Sequence, residues 1–141
     1  MIDEDAGGEH VRPRHVIAHY YGDTVRALFI ICAILLVVAK STGAQMPLST
    51  VETLIGAVFL VIAAGVTNPN QRGIHWLNGA LAILGTLIFG VSSVHNYSAG
   101  EKILQGGFIY TEALAILFLI ALYFVTRTVR GTLQRRSGER F

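Results

Sequence analysis

The stretch Ala113-Leu114-Ala115-Ile116-Leu117-Phe118-Leu119-Ile120-Ala121-Leu122-Tyr123-Phe124-Val125 has one polar side-chain atom, the Tyr123 hydroxyl oxygen. A helix that faces water needs a polar stripe, and this segment is apolar on every face. It shows no alternation of period two, which argues against a membrane β-barrel strand. Similar runs occupy Val25 to Ala39, Ser49 to Val66 and Ile74 to Val94. Four such segments cannot all be hidden from water within 141 residues, so a soluble four-helix bundle is excluded. The expected fold is all-α: an integral membrane antiparallel four-helix bundle with both termini cytoplasmic. Its spans are expected at about 24–44, 49–67, 74–95 and 105–127, inside a transmembrane domain at 14–130. A disordered acidic N-terminal tail is expected at 1–13 and a basic cytoplasmic tail at 131–141.

Composition points the same way. Apolar residues make up 52% and charged residues 14% of the chain, against about 25% charged in soluble domains. The mean hydropathy is positive. All nine arginines fall on one side of the four-span reading: Arg12, Arg14 and Arg26 before or at the first span, Arg72 between the second and third, and Arg127, Arg130, Arg135, Arg136 and Arg140 after the fourth. Only Lys40 and Lys102 occupy the other two loops. Short loops rich in Lys and Arg stay cytoplasmic, which sets the orientation. The net charge of +2 conceals this polarity. A basic cluster directly after an apolar span fits anionic lipid headgroups rather than nucleic acid, with Arg127, Arg130, Arg135 and Arg136 as the headgroup contacts. About two dozen residues, several acidic, precede the first apolar run, so it is expected to be a retained span and not a cleaved signal.

Local signals place the helix ends. Asp23 is a suitable N-cap for the first span. Val25 to Ala39 covers about 22 Å of a roughly 30 Å core, so the helix is expected to continue through Ser41 to Ala44. Ser49-x-x-Glu52 reads as a capping box, and Thr67-Asn68-Pro69-Asn70 as a turn. Trp76 and Tyr97 lie 21 residues apart, or about 32 Å along a helix, matching the separation of two interfacial aromatic belts. Asn78, Ala82, Thr86 and Gly90 recur every fourth residue and form the expected packing face, with Gly56 and Ala64 or Gly65 as opposing positions. That face could serve a single subunit or a second copy of the chain.

Few residues suggest chemistry. Glu112 lies one to two turns inside the fourth span, where a carboxylate is costly and raises the question of a proton or cation site. Glu52 and His95 are expected near the same outer face, and would join Glu112 only if their helices are neighbours. His15, His19 and Asp23 follow i, i+4, i+8 spacing and form a weak candidate metal set, since Gly22 is expected to break the helix before Asp23. No histidine lies mid-span to hold haem. No nucleophile–base pair or phosphate loop is present, so no enzyme activity and no cofactor are expected. Cys32 is the single cysteine, which excludes an intrachain disulfide.

The segments His19-Tyr20-Tyr21-Gly22-Asp23-Thr24-Val25-Arg26-Ala27-Leu28-Phe29, Thr67-Asn68-Pro69 and Tyr123-Phe124-Val125-Thr126-Arg127-Thr128-Val129-Arg130-Gly131 carry a resemblance over most of the chain. In them the chain resembles an uncharacterised family of small four-span bacterial membrane proteins. The resemblance implies a fold and an inner-membrane location, and brings no activity with it. Small multidrug-resistance transporters share the size and span count, but theirs is a glutamate within the first span, absent here. Quinone-linked disulfide enzymes need cysteine pairs, also absent. The expected function is a non-catalytic accessory or interaction component of the bacterial cell membrane, with lipid and a second copy or another membrane protein as partners. The alternative is an oligomeric proton- or cation-linked transporter or channel using Glu112.

Overall fold

The computed structural model describes residues 21–66, 72–102, 104 and 106–138. The N-terminal tail, His15, His19, the Thr67 to Asn70 turn and Arg140 lie outside the described residues. Among the described residues four helices follow one another: α1 (Gly22–Ser41), α2 (Thr50–Val66), α3 (Arg72–Ser98) and α4 (Gly106–Gly138). Among the described residues there is no strand. The chain is a helical bundle in which α1, α3 and α4 are long and apolar enough to cross a membrane. The fourth, α2, is a shorter apolar helix of 17 residues, about 26 Å long.

Contacts across the bundle give its topology. Ser93 meets Glu112, a Cβ at Gly85 would meet Phe118, and one at Gly79 would meet Val125, so α3 and α4 run antiparallel. Tyr21 meets Thr128, and Gln45 lies over Gly107, so α1 also runs antiparallel to α4. The α3–α4 interface is the most extensive, followed by α1–α2 and α1–α4; α2 and α3 barely touch, and α2 and α4 share no contact. Helix α4 is therefore central, and α2 is held mainly by α1. The start of α1 and the far part of α4 sit at the same end of the bundle.

The core holds few large side chains. Phe29, Leu36 and Leu114 are fully buried among Cys32, Ala33, Ala57, Ala63, Ala82 and Ala121. Phe89 and Phe118 stack at 5.7 Å between ring centroids with planes 6° apart. Outside this core, large apolar side chains on all four helices stand half or more exposed, including Ile34, Phe59, Leu84, Val91 and Leu119. Buried threonines satisfy their hydroxyls within their own helices: Thr53, Thr111 and Thr128 donate to the carbonyls of Ser49, Gly107 and Phe124 at 2.8, 2.8 and 3.0 Å.

Several ends differ from the sequence reading. Asp23 is not the N-cap of α1. The cap is Tyr21, without a side-chain cap bond, because Tyr21 is fixed by tertiary contacts: its N–H donates to Thr128 Oγ1 at 3.2 Å and its ring packs 5.0 Å from Phe124. Gly22 is helical, and Asp23 lies in the first turn, where its charge complements the helix dipole. Nor does α1 continue to Ala44. Gly43, at φ +76°, closes a Schellman motif in which its N–H bonds the Lys40 carbonyl at 3.1 Å and the Ala44 N–H bonds that of Ala39 at 3.0 Å. Gly100 ends α3 in the same way, with bonds to Tyr97 and Asn96. At the other extreme, the basic segment expected as a tail continues α4 to Gly138, giving 33 residues and about 50 Å.

The packing face of α3 is also shifted. Asn78 and Ala82 are buried as expected, but Thr86 and Gly90 are only half-buried, and the contact line continues through Gly85, Phe89 and Ser93. Steps of four residues rotate about 40° per step around a helix of 3.6 residues per turn, so a strict i+4 row drifts off a straight partner, whereas alternating steps of three and four stay on it. On α2, Ala64 is buried while Gly56 and Gly65 have open space beside them, because α2 packs on α1 and not on α3.

A Cβ at Gly85 would lie 2.3 Å from the Phe118 ring, whereas one at Gly90 would meet nothing within 4 Å. Gly85→Ala should lower stability by about 1–3 kcal/mol through overpacking. Gly90→Ala should be neutral or stabilising by up to about 1 kcal/mol through helix propensity. Unfolding titrations of both variants in detergent check the pair, and equal effects would refute the assigned register.

Candidate functional site

The polar residues away from the basic end gather where α1 gives way to α2 and α3 to α4. Helix α2 opens with the capping box read from Ser49 and Glu52. The Ser49 N–H donates to Glu52 Oε2 at 2.8 Å, and the Glu52 N–H donates to Ser49 Oγ at 3.3 Å. Both residues are exposed, so Glu52 is engaged by its own helix end.

Glu112, half-buried in the second turn of α4, is engaged across a helix interface. The Ser93 hydroxyl on α3 donates to Glu112 Oε2. Ser93 is buried, so the carboxylate of one helix is met by the hydroxyl of the other inside the tightest interface of the bundle. Sequence reasoning did not find Ser93, since one of two adjacent serines, 19 positions upstream, has no visible link to Glu112 until α3 and α4 are in register. The one available signal was its place eight residues beyond Gly85, on the same side of the helix.

The other candidates do not converge on Glu112. Glu52 belongs to α2, which shares no contact with α4. His95 is exposed and lies two residues from the buried Ser93, about 200° around the helix. Asp23 is exposed and pairs with Arg26 at 3.6 Å, one turn along α1. Its proposed partners His15 and His19 lie outside the described residues, and among the described residues no group of three or more His, Cys, Asp or Glu side chains could hold a metal. Cys32 is fully buried on α1.

At the opposite end, the start of α1 and the far part of α4 form an aromatic and basic cluster. The Arg127 guanidinium lies 5.5 Å from the Tyr21 ring centroid and 5.7 Å from that of Tyr123, within cation–π range. Its Nη1 donates to the Tyr123 hydroxyl at 3.1 Å. Arg130 is exposed one turn on. Arg135 and Arg136 belong to the last turns of α4, and their side chains lie outside the described part of the structure. His75 and Asn78 are buried near this end of α3. A hollow of about 490 Å³ between α1 and α2 is lined only by aliphatic side chains, among them Ile30, Ile34, Val38, Leu54, Val58 and Ile62. It offers a polar solute no hydrogen bond.

No protein-family model matches the chain, and neither a curated protein nor a solved structure matches it. Function is therefore read from the chemistry of its own residues.

Ser93→Ala should destabilise the α3–α4 interface by about 1–3 kcal/mol, because Glu112 loses its donor while remaining half-buried. Adding Glu112→Leu should recover most of that loss, since removing both partners leaves nothing unsatisfied. A double-mutant cycle measured by unfolding in detergent reads the coupling; additive losses would show that the two side chains do not interact.

Proposed function

We propose that this chain is a small multi-span integral protein of a bacterial cell membrane, a non-catalytic accessory or interaction component with both ends in the cytoplasm. Kinship with the small four-span bacterial proteins belongs to the same proposal. One observation carries it: large apolar side chains stand exposed on all four helices, while Glu52 and Glu112 at the far end of the bundle are engaged by capping and by Ser93. Hydrocarbon is the solvent in which such a surface is stable, and within it polar groups must be satisfied internally. Trp76 and Tyr97 are both well exposed on α3, as residues of two interfacial belts would be. In this reading α2 crosses as the fourth span, its length deficit taken up by local bilayer thinning.

Orientation follows from charge. Arg26, Arg127 and Arg130 lie at the end shared by the start of α1 and the far part of α4, and Lys40 and Lys102 lie at the other, so the arginine end is cytoplasmic. Interaction with a further helix, from a second copy or another membrane protein, would use Gly56, Gly65 and Gly90, which have open space beside them. The rival reading, a proton- or cation-linked transporter, needs polar groups around Glu112 along a path. Glu52 and His95 point elsewhere, and the hollow between α1 and α2 is aliphatic.

Reporter fusions at both ends should report the cytoplasm, and alkaline carbonate should leave the protein in the membrane fraction. Ends on opposite faces, or release by salt alone, would end the proposal. Glu112→Gln should preserve cellular function and folding, and proteoliposomes should show no flux driven by pH or cations; flux abolished by Glu112→Gln would establish the transporter instead.

A further inference from the structure

The basic end of α4 has a geometry that general attraction to headgroups does not require. Arg127 is held in place before any ligand arrives, by two tyrosine rings and a hydrogen bond to one of them. That bond uses Nη1 and leaves the remaining N–H groups of the fork free to donate. Arg130 follows at i+3 and Gln134 at i+7, on the same face of the helix. Between them, at i+4, Gly131 has no side chain to fill the space. Among the described residues these four line one hollow of about 170 Å³, room for several waters at about 10–15 Å³ each. Two guanidinium groups one turn apart repel each other. Among the described residues the only ion pair is Arg26 with Asp23, so no described carboxylate neutralises Arg127 or Arg130. An anion in the hollow would relieve that repulsion and accept from a preordered fork, which is the arrangement guanidinium uses for phosphate.

We propose that Arg127, Arg130 and Gln134 form a discrete binding site for a single phosphate group at the end of the bundle where α4 emerges. The group belongs either to the headgroup of an anionic lipid or to a free phosphate-bearing solute. The lipid form rests on the membrane reading above, whereas the free form does not. Tyr21 and Tyr123 act as positioning residues by holding Arg127, and Gly131 keeps the space open.

The test uses the full chain, purified and placed in nanodiscs of phosphatidylcholine with a minor fraction of phosphatidylglycerol, washed at about 0.5 M salt, where screening beyond a few ångströms strips diffuse contacts. Phosphatidylglycerol retained per protein is measured by mass spectrometry. A parallel arm titrates inorganic phosphate into protein in neutral detergent and follows phosphorus NMR line broadening. Arg127→Gln with Arg130→Gln should reduce the binding on the order of tenfold, and Arg135→Gln with Arg136→Gln, which removes the same charge, should reduce it less than about twofold. Where the first double variant folds poorly by circular dichroism, Arg130→Gln alone, at an exposed position, should still cost about fivefold. Gly131→Leu should block binding without altering charge. Retention of the lipid without phosphate binding assigns the site to a headgroup, and phosphate binding that displaces the lipid assigns it to the shared group. Equal losses from the two double variants, or no binding in either arm, would overturn the site and leave only a diffuse basic surface. Failure to enter nanodiscs alongside intact phosphate binding would instead refute the membrane reading and keep the site.

Discussion

The approach of α3 to α4 at Gly85 is the contact on which the rest of the bundle depends. The Phe118 ring occupies the space a side chain at Gly85 would need, and Phe118 in turn stacks on Phe89. This fixes the two longest helices in one register, and the other contacts between them follow it. Ser93 meets Glu112 on one side of the contact and Gly79 meets Val125 on the other. Helix α4, so placed, presents its second face to α1, with Thr128 receiving the Tyr21 N–H and Gly107 lying beneath the Gln45 backbone. Helix α2 has no share in this core line and is attached through α1, which explains how it can be the shortest of the four without disturbing the others.

What the sequence disclosed and what it withheld divide along physical lines. Features set by neighbours in sequence were legible: the apolar runs, and the Ser49–Glu52 capping box, whose two bonds close within three residues. Features set by register between distant helices were not. A row of small residues on α3 was visible, but its true line, bending from Ala82 to Gly85 rather than Thr86, depends on which partner it meets and at what angle. The Ser93–Glu112 pair was hidden for the same reason. The start of α1 was misplaced because Tyr21, a poor cap by residue type, is held by Thr128 and Phe124 across the bundle. The helical state of the basic segment was missed because its arginines were read as a tail lying on anionic headgroups, although Arg is a good helix former and cations favour a helix C-terminus.

The polar residues are economical in a way that bears on function. Thr53, Thr111 and Thr128 return their protons to their own backbone, and Glu52 closes its own helix end. Glu112 reaches to another helix, and the hydroxyl it meets lies in the most extensive interface of the bundle. A carboxylate placed there specifies register: sliding α3 by one turn along α4 would leave both the Ser93 hydroxyl and the carboxylate without their partners, and the cost of that loss falls on the slipped state.

The two ends of the bundle are accordingly unlike each other. At one, α1 and α3 stop abruptly at left-handed glycines, and the Gln45 backbone presses on Gly107. At the other, Tyr21 stands level with Thr128, and α4 continues ten residues further, about 15 Å beyond the start of α1. That extension carries Arg130, Arg135 and Arg136 and is tethered at its base by Arg127 among aromatic rings. Along this extension the apolar content falls as the positive charge rises. Arginine is a good helix former, and cations complement the partial negative charge of a helix C-terminus, so the sequence of this segment itself favours continuation of α4.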